Sequence, residues 1–221
     1  MASIILQDLF EVNYRIRKIK SQKSKIKDLC TLVFALYNIT MKLNAKQLRD
    51  LEEKKAMGKL KQIKRQPIYF ILENIYDTYN IGGLFRLADA LAVERIYLVG
   101  ETETPPNSRI KKASIGTYKI VPWDYKKTTK EAIESIKFHV PRSMLQVIAV
   151  EQHKNSIPYT KAQYQFPLAL IFGNESYGVK EETLKLVDQI VEIPMFGINK
   201  SLNVIVSAAI VSYYAVMSTI T

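Results

Sequence analysis

LALIFGNESYG, residues Leu168 to Gly178, decides how the rest of the chain is read. Five apolar residues in succession fit a short strand buried on both faces of a parallel sheet, and the polar turn falls where that strand ends. A charged helical segment follows, then a second strand pattern at Gln189–Ile193, the loop PMFGINK, and a charge-free helical run opening at Ser201. Two polar clusters, GNESYG and NKSLN, therefore stand where a buried sheet meets its loops. In open α/β sheets that boundary, outside the carboxyl ends of the strands, is where ligands bind.

The same pattern extends upstream to Pro67. IYFIL, RIYLV, Tyr118–Val121 and LQVIAV read as further strands, with helical segments between several of them, among them Thr128–Phe138 with Thr128 and Glu131 as a capping box. Alternation of this kind predicts a mostly parallel α/β sheet.

Before Pro67 the composition changes. Residues 1–65 hold 16 Lys/Arg against 6 Asp/Glu, whereas residues 66–221 hold 16 against 15, so nearly all of the formal charge of +11 lies in the first third. Ile5, Leu9, Val12, Ile16 and Ile19 fall on one helical stripe, Leu29–Tyr37 is an apolar partner for it, and Asn44 with Gln47 forms a capping-box variant. The reading is a small all-helical basic extension over 1–65 and an α/β domain over 66–221. Clustered positive charge on one segment suits a polyanion, with nucleic acid ahead of an anionic membrane surface, and a merely solvated face is the plain alternative.

Composition also excludes chemistry. One cysteine, Cys30, rules out an internal disulfide framework or a multi-cysteine zinc cluster, and His139 and His153 lie far in sequence from both polar clusters, so no metal centre is expected. The N-terminus lacks the order of a secretory signal, and the expected address is the cytoplasm. Residues 201–221 carry no charge, but five Ser and Asn side chains speak against a membrane span and for a core or subunit interface.

Three clusters carry candidate chemistry. In NIGGLFRLADAL (80–91), Asn80 suits a helix N-cap, Gly82 and Gly83 allow close approach, and Arg86 stands off the buried stripe. Arg86 has two readings, an ion pair with Asp89 or a guanidinium placed for phosphate near a helix start. GNESYG has the outer glycine spacing of a P-loop, but Val179 occupies the position of the required Lys, and no G-x-G-x-x-G follows a strand. Glu175 is an acid directly after a buried strand. In IPMFGINKSLNV (193–204), Ser201 suits the cap of the last helix, Asn203 lies in its first turn, and the irregular loop leaves main-chain groups free for a ligand.

Taken together, Asn80, Gly82 and Arg86, then FGNESYGV, then IPMFGINKSLNV resemble the three motifs of the SpoU (TrmH) branch of the SPOUT RNA methyltransferases, over about residues 67–217. The resemblance implies an α/β domain with a C-terminal trefoil knot, a homodimer, and S-adenosylmethionine as cofactor. It implies methyl transfer to a ribose 2'-hydroxyl of tRNA or rRNA. Arg86 takes the hydroxyl-activating role, Asn80, Glu175, Ser201 and Asn203 support it, and Gly173, Ile193, Met195 and Leu202 contact the cofactor. Arg86 is read either as a base or as a charged stabiliser of the developing alkoxide. The competing functional readings are a non-catalytic RNA-binding or assembly protein on the same scaffold and, more remotely, a membrane-associated protein.

Overall fold

The computed structural model describes residues 44–50, 64–140 and 144–220. The expected N-terminal helices over Ile5–Ile19 and Leu29–Tyr37 lie outside the described residues. Residues from Asn44 onward make one compact unit.

Among the described residues seven strands form a single sheet: β1 (Gln66–Glu73), β2 (Val93–Val99), β3 (Trp123–Lys126), β4 (Gln146–Val150), β5 (Ile157–Pro158), β6 (Leu168–Phe172) and β7 (Gln189–Glu192). Their order is β3-β2-β1-β6-β4-β7-β5 and every pairing is parallel. β1 and β6 run in register from Ile68↔Leu168 to Leu72↔Phe172. Both are buried on two sides, which is why they appear in the sequence as unbroken apolar runs instead of alternating ones.

Successive residues of these strands serve opposite faces. Ile68, Phe70 and Leu72 of β1 join Leu170 and Phe172 of β6 on one face, where the rings of Phe70 and Phe172 meet edge to face at 5.3 Å. That face is covered by α2 (Thr78–Ala90), through Ile81, Leu84, Phe85 and Ala88, and by α6 (Val204–Ile220), through Ala208, Val211 and Ala215. Tyr69 and Ile71 look the other way, towards Ala132, Ile133 and Ile136 of α4 (Thr129–His139). The smaller helices are α1 (Ala45–Arg49), α3 (Ser108–Ser114) and α5 (Glu181–Leu184). The Asn44–Gln47 capping box forms as expected, with both bonds at 2.9 Å. Arg65 leads into β1 and donates to Val93 O at 2.9 Å and Ile120 O at 2.8 Å.

Three local expectations are corrected. Tyr118–Val121 is not a strand. Ile115 and Gly116 both adopt positive φ (49° and 95°) and reverse the chain into a one-turn 3-10 helix at Thr117–Lys119, so the strand begins beyond Pro122, at Trp123. Asn80 does not cap α2, because Asp77 takes that place by accepting from Tyr79 N at 2.8 Å. Ser201 does not cap α6, where Asn203 Oδ1 accepts from Ile205 N at 2.8 Å. Each correction moves a residue by only a few positions, yet the last two release or redirect side chains that matter below. Among the described residues no helix is long and apolar enough to cross a membrane.

Candidate active site

The site is built where the carboxyl ends of β1, β4, β6 and β7 meet the start of α2. After β1, Asn74 adopts φ 54°, and its Oδ1 accepts from Glu101 N at 3.0 Å while its carbonyl accepts from Asn174 Nδ2 at 2.7 Å. Asp77 then starts α2, which leaves Asn80 inside the first turn with its amide free to reach across. Asn80 Nδ2 donates to Glu175 Oε1 at 2.8 Å, and Asn203 Nδ2 donates to Asn80 Oδ1 at 3.0 Å. The three clusters identified in the sequence therefore converge on one hydrogen-bonded chain.

The direction of that chain is fixed. Ile205 N–H can only donate, so Asn203 must turn its oxygen towards it and its amide nitrogen towards Asn80. Asn80 must then offer its oxygen to Asn203 and its nitrogen to Glu175. Glu175 ends the chain as an acceptor, and also receives Asp77 N at 3.3 Å and Tyr76 N at 3.4 Å. A carboxylate at the N-terminus of a 13-residue helix gains further from the helix dipole. Nearby, the Tyr76 phenol donates to Glu101 Oε2 at 2.7 Å, and that bond, ahead of a small burial effect, raises its pKa.

The GNESYG loop is not a phosphate cradle. Asn174 and Gly178 exchange both main-chain bonds (3.0 and 2.9 Å), and Asn174 Oδ1 takes Ser176 N and Tyr177 N. Val179 N donates to Glu151 Oε2 at 2.8 Å and Lys180 N to Glu73 Oε2 at 2.9 Å. The amides that a P-loop would turn towards a phosphate are already committed. Gly173 is required here, since a Cβ on it would lie 2.2 Å from Gly178 C.

Beside this chain lies a cleft of about 590 Å³, a size suited to a nucleoside-sized ligand. Gly173, Glu175, Ile193, Met195, Ser201, Leu202 and Asn203 all line it. Asn80 reaches the site through its two hydrogen bonds, while Arg86 is outside the cleft wall. Arg86 is exposed and makes no hydrogen bond or ion pair among the described residues. Of its two readings, the ion pair with Asp89 is absent, and Asp89 instead feels the charge of Arg65. Arg86 shares a stripe of α2 with exposed Tyr79 and with Gly83, whose missing side chain admits Ile205 at the start of α6.

Residues 67–213 match the model of the SpoU rRNA Methylase family. The chain belongs to that family. This SpoU-family chain is similar to the tRNA (guanosine(18)-2'-O)-methyltransferase of Thermus thermophilus, 32% identical over 69% of this chain and 76% of the relative. Its fold is similar to that of the A. aeolicus TrmH/SpoU tRNA modifying enzyme, with TM-score 0.63 and 26% identity over 75% of this chain and 83% of that one. It is also similar to the AdoMet-bound rRNA methyltransferase from Sinorhizobium meliloti, with TM-score 0.63 and 26% identity, covering 77% of this chain and 60% of that one.

Glu73, Asn74, Glu151 and Gln152 hold the loops of this SpoU-family site and were not singled out from the sequence. One signal was present: Glu73, Glu151 and Glu192 each stand at or just past the carboxyl end of a buried strand, as Glu175 nearly does. Neither histidine joins the site. His153 lies 3.6 Å from Glu181, and His139 stacks edge-on with Phe138. No cluster able to hold a metal ion exists among the described residues.

Proposed function

We propose that this chain is an S-adenosylmethionine-dependent RNA methyltransferase that methylates a ribose 2'-hydroxyl of tRNA or rRNA. The observation that carries the reading is the one-way chain from Asn203 through Asn80 to Glu175 at the edge of the cleft, in a member of this family. The cleft fits the cofactor chemically. It is lined by the loops after β4, β6 and β7, and among the described residues the backbone groups of Met195 and Leu202 take no hydrogen bond, so they are available to an adenine or carboxylate. Gly173, Ile193, Met195 and Leu202, which line the cleft, are the residues that would hold it. When bound, the cofactor supplies an electrophilic methyl group on a sulfonium.

The chain's own residues supply position and charge. Glu175 is engaged by three donors, so its part is to pin the first turn of α2 beside the cleft. Asn80 ties that turn to Asn203, and the approach of the ribose is set between them; alignment alone removes much of the entropic barrier. Ser201 lines the cleft next to Leu202 and Asn203 and offers its hydroxyl to substrate or cofactor. Arg86, exposed on α2 and outside the cleft wall, acts as a charged stabiliser: RNA bound across α2 brings the oxygen on which negative charge develops to its guanidinium.

The trefoil knot and the homodimer belong to the same proposal. Membership of the SpoU family over residues 67–213 supports the first. Phe196, Ile198, Leu202 and Val206, all exposed apolar residues around the start of α6, support the second, with another copy of the chain as occupant. The basic residues 1–65 are proposed as the segment that grips structured RNA, on their charge, in the cytoplasm. Arg86→Ala should abolish methyl transfer to RNA while S-adenosylmethionine still binds by calorimetry. Unchanged turnover would refute the role of Arg86, and a wild-type chain that binds RNA without methylating any would favour the assembly-factor reading.

A further inference from the structure

The cleft lies between two loops, 173–180 after β6 and 193–203 after β7. Among the described residues no hydrogen bond runs directly between them. They are tied through intermediaries at two places. On the α2 side the intermediary is Asn80, which joins Glu175 to Asn203. On the opposite side it is the dipeptide Glu151–Gln152, the first two residues beyond β4.

The position of β4 explains why these two residues can do this. It lies between β6 and β7 in the sheet, so the chain leaving it emerges between the two loops. Glu151 N still donates to Val191 O at 2.9 Å, which holds the exit in register with β7. Glu151 Oε2 accepts from Val179 N at 2.8 Å, and Oε1 accepts from Gln152 N at 2.8 Å, so the carboxylate is fixed at both oxygens. It packs so closely on Gly178 that a Cβ there would lie 2.1 Å from Oε2. Gln152 Nε2 reaches the other loop and donates to Lys200 O at 2.5 Å, next to Ser201 and Leu202. Both residues line the cleft.

We propose that Glu151 and Gln152 are positioning residues that set the width of the cofactor cleft, acting through Val179 on one wall and Lys200 on the other. The proposal rests on the reading of this cleft as the S-adenosylmethionine site. The two ties divide the work: Asn80 adjusts the substrate side, and Glu151–Gln152 the cofactor side. Loss of the second tie weakens cofactor binding and leaves RNA binding and the chemical step in place. A residue needed only for folding would instead lower the active fraction and reduce turnover for both substrates together.

The test uses the full chain carrying Gln152→Glu, which keeps shape and length but presents an acceptor to the Lys200 carbonyl in place of a donor. The expected result is a Kd and a KM for S-adenosylmethionine raised about tenfold, equivalent to one lost hydrogen bond, with kcat at saturating cofactor and KM for RNA close to wild type. Gln152→Ala should give a smaller rise in the same direction, and Glu151→Gln, which retains an oxygen for Val179 N–H, should bind the cofactor more tightly than Glu151→Ala. Cofactor affinity within twofold of wild type in Gln152→Glu, or kcat lowered with an unchanged cofactor KM, would overturn the proposal. A wild-type chain that fails to bind S-adenosylmethionine would overturn the functional reading, and this inference with it.

Discussion

Glu73 offers a sharp test of how the GNESYG loop is held. It ends β1, is 3% exposed, and accepts three hydrogen bonds: Thr129 Oγ1 and Thr183 Oγ1 on Oε1, both at 2.5 Å, and Lys180 N on Oε2 at 2.9 Å. Those donors come from the first turn of α4, from α5 and from the end of the GNESYG loop. Glu73→Ala removes all three acceptor contacts and leaves a main-chain N–H and two buried hydroxyls to find other partners. At about 1 to 1.5 kcal/mol for each contact, the loss sums to about 4 kcal/mol, or about 10 °C in Tm for a chain of this size. Glu73→Gln should cost only about 1 kcal/mol. Its oxygen can take Lys180 N–H while its amide nitrogen donates to the threonine hydroxyls, which accept as readily as they donate. Urea unfolding followed by the fluorescence of Trp123, the one tryptophan, measures both. A Glu73→Ala variant within about 1 kcal/mol of wild type, or a Gln variant as damaged as the Ala one, would refute this account of the loop. Methyl transfer should fall in the same order, because the Lys180 anchor lies five residues from Glu175 on a loop whose other bonds it supports.

Two further outcomes follow from packing and burial. A Cβ on Gly82 would lie 2.4 Å from Ala113 Cβ and 2.8 Å from Ser114 N, so Gly82→Ala must push α2 off α3; on Gly83 the atoms nearest to it all belong to the Ile205 side chain, Cδ1 first and then Cγ1 at 3.0 Å, and a side chain can turn away where a backbone cannot. Gly82→Ala should therefore cost about 2 to 3 kcal/mol more than Gly83→Ala in chemical denaturation, and equal costs would count against the close helix contact. Burial raises the Asp89 carboxyl above its ordinary 3.8, with Arg65 opposing in smaller measure. The folded chain thus holds this proton more tightly than the unfolded one, and the stability it contributes is lost as pH rises from 3.8 through the raised folded value. Asp89→Asn should be more stable than wild type at neutral pH, by a Tm difference that shrinks as pH approaches that of the unfolded carboxyl; a difference independent of pH would contradict the assignment.

The sequence by itself determined the local elements. Unbroken apolar runs at 68–72 and 168–172, and the capping box at Asn44, depend on residues within a few positions of one another, and they appear as read; Thr128 caps its helix too, but Glu131 accepts from Lys127 N instead of closing the box. Where the reading slipped, it slipped on local competition: Asp77 outbid Asn80 for the start of α2, and two left-handed residues turned Tyr118 out of a strand. The motif residues were legible as a set because their polar character stands out at the ends of apolar strands. Only the tertiary structure decided that Asn80 bonds to Glu175, 95 residues away, and to Asn203, 123 residues away. It alone made Glu73, Glu151 and Gln152 the ties that hold those loops. The reason is physical: a hydrogen bond needs a partner within about 3 Å along a set direction, and which strand ends lie that close depends on the order of strands across the sheet, which no local pattern records.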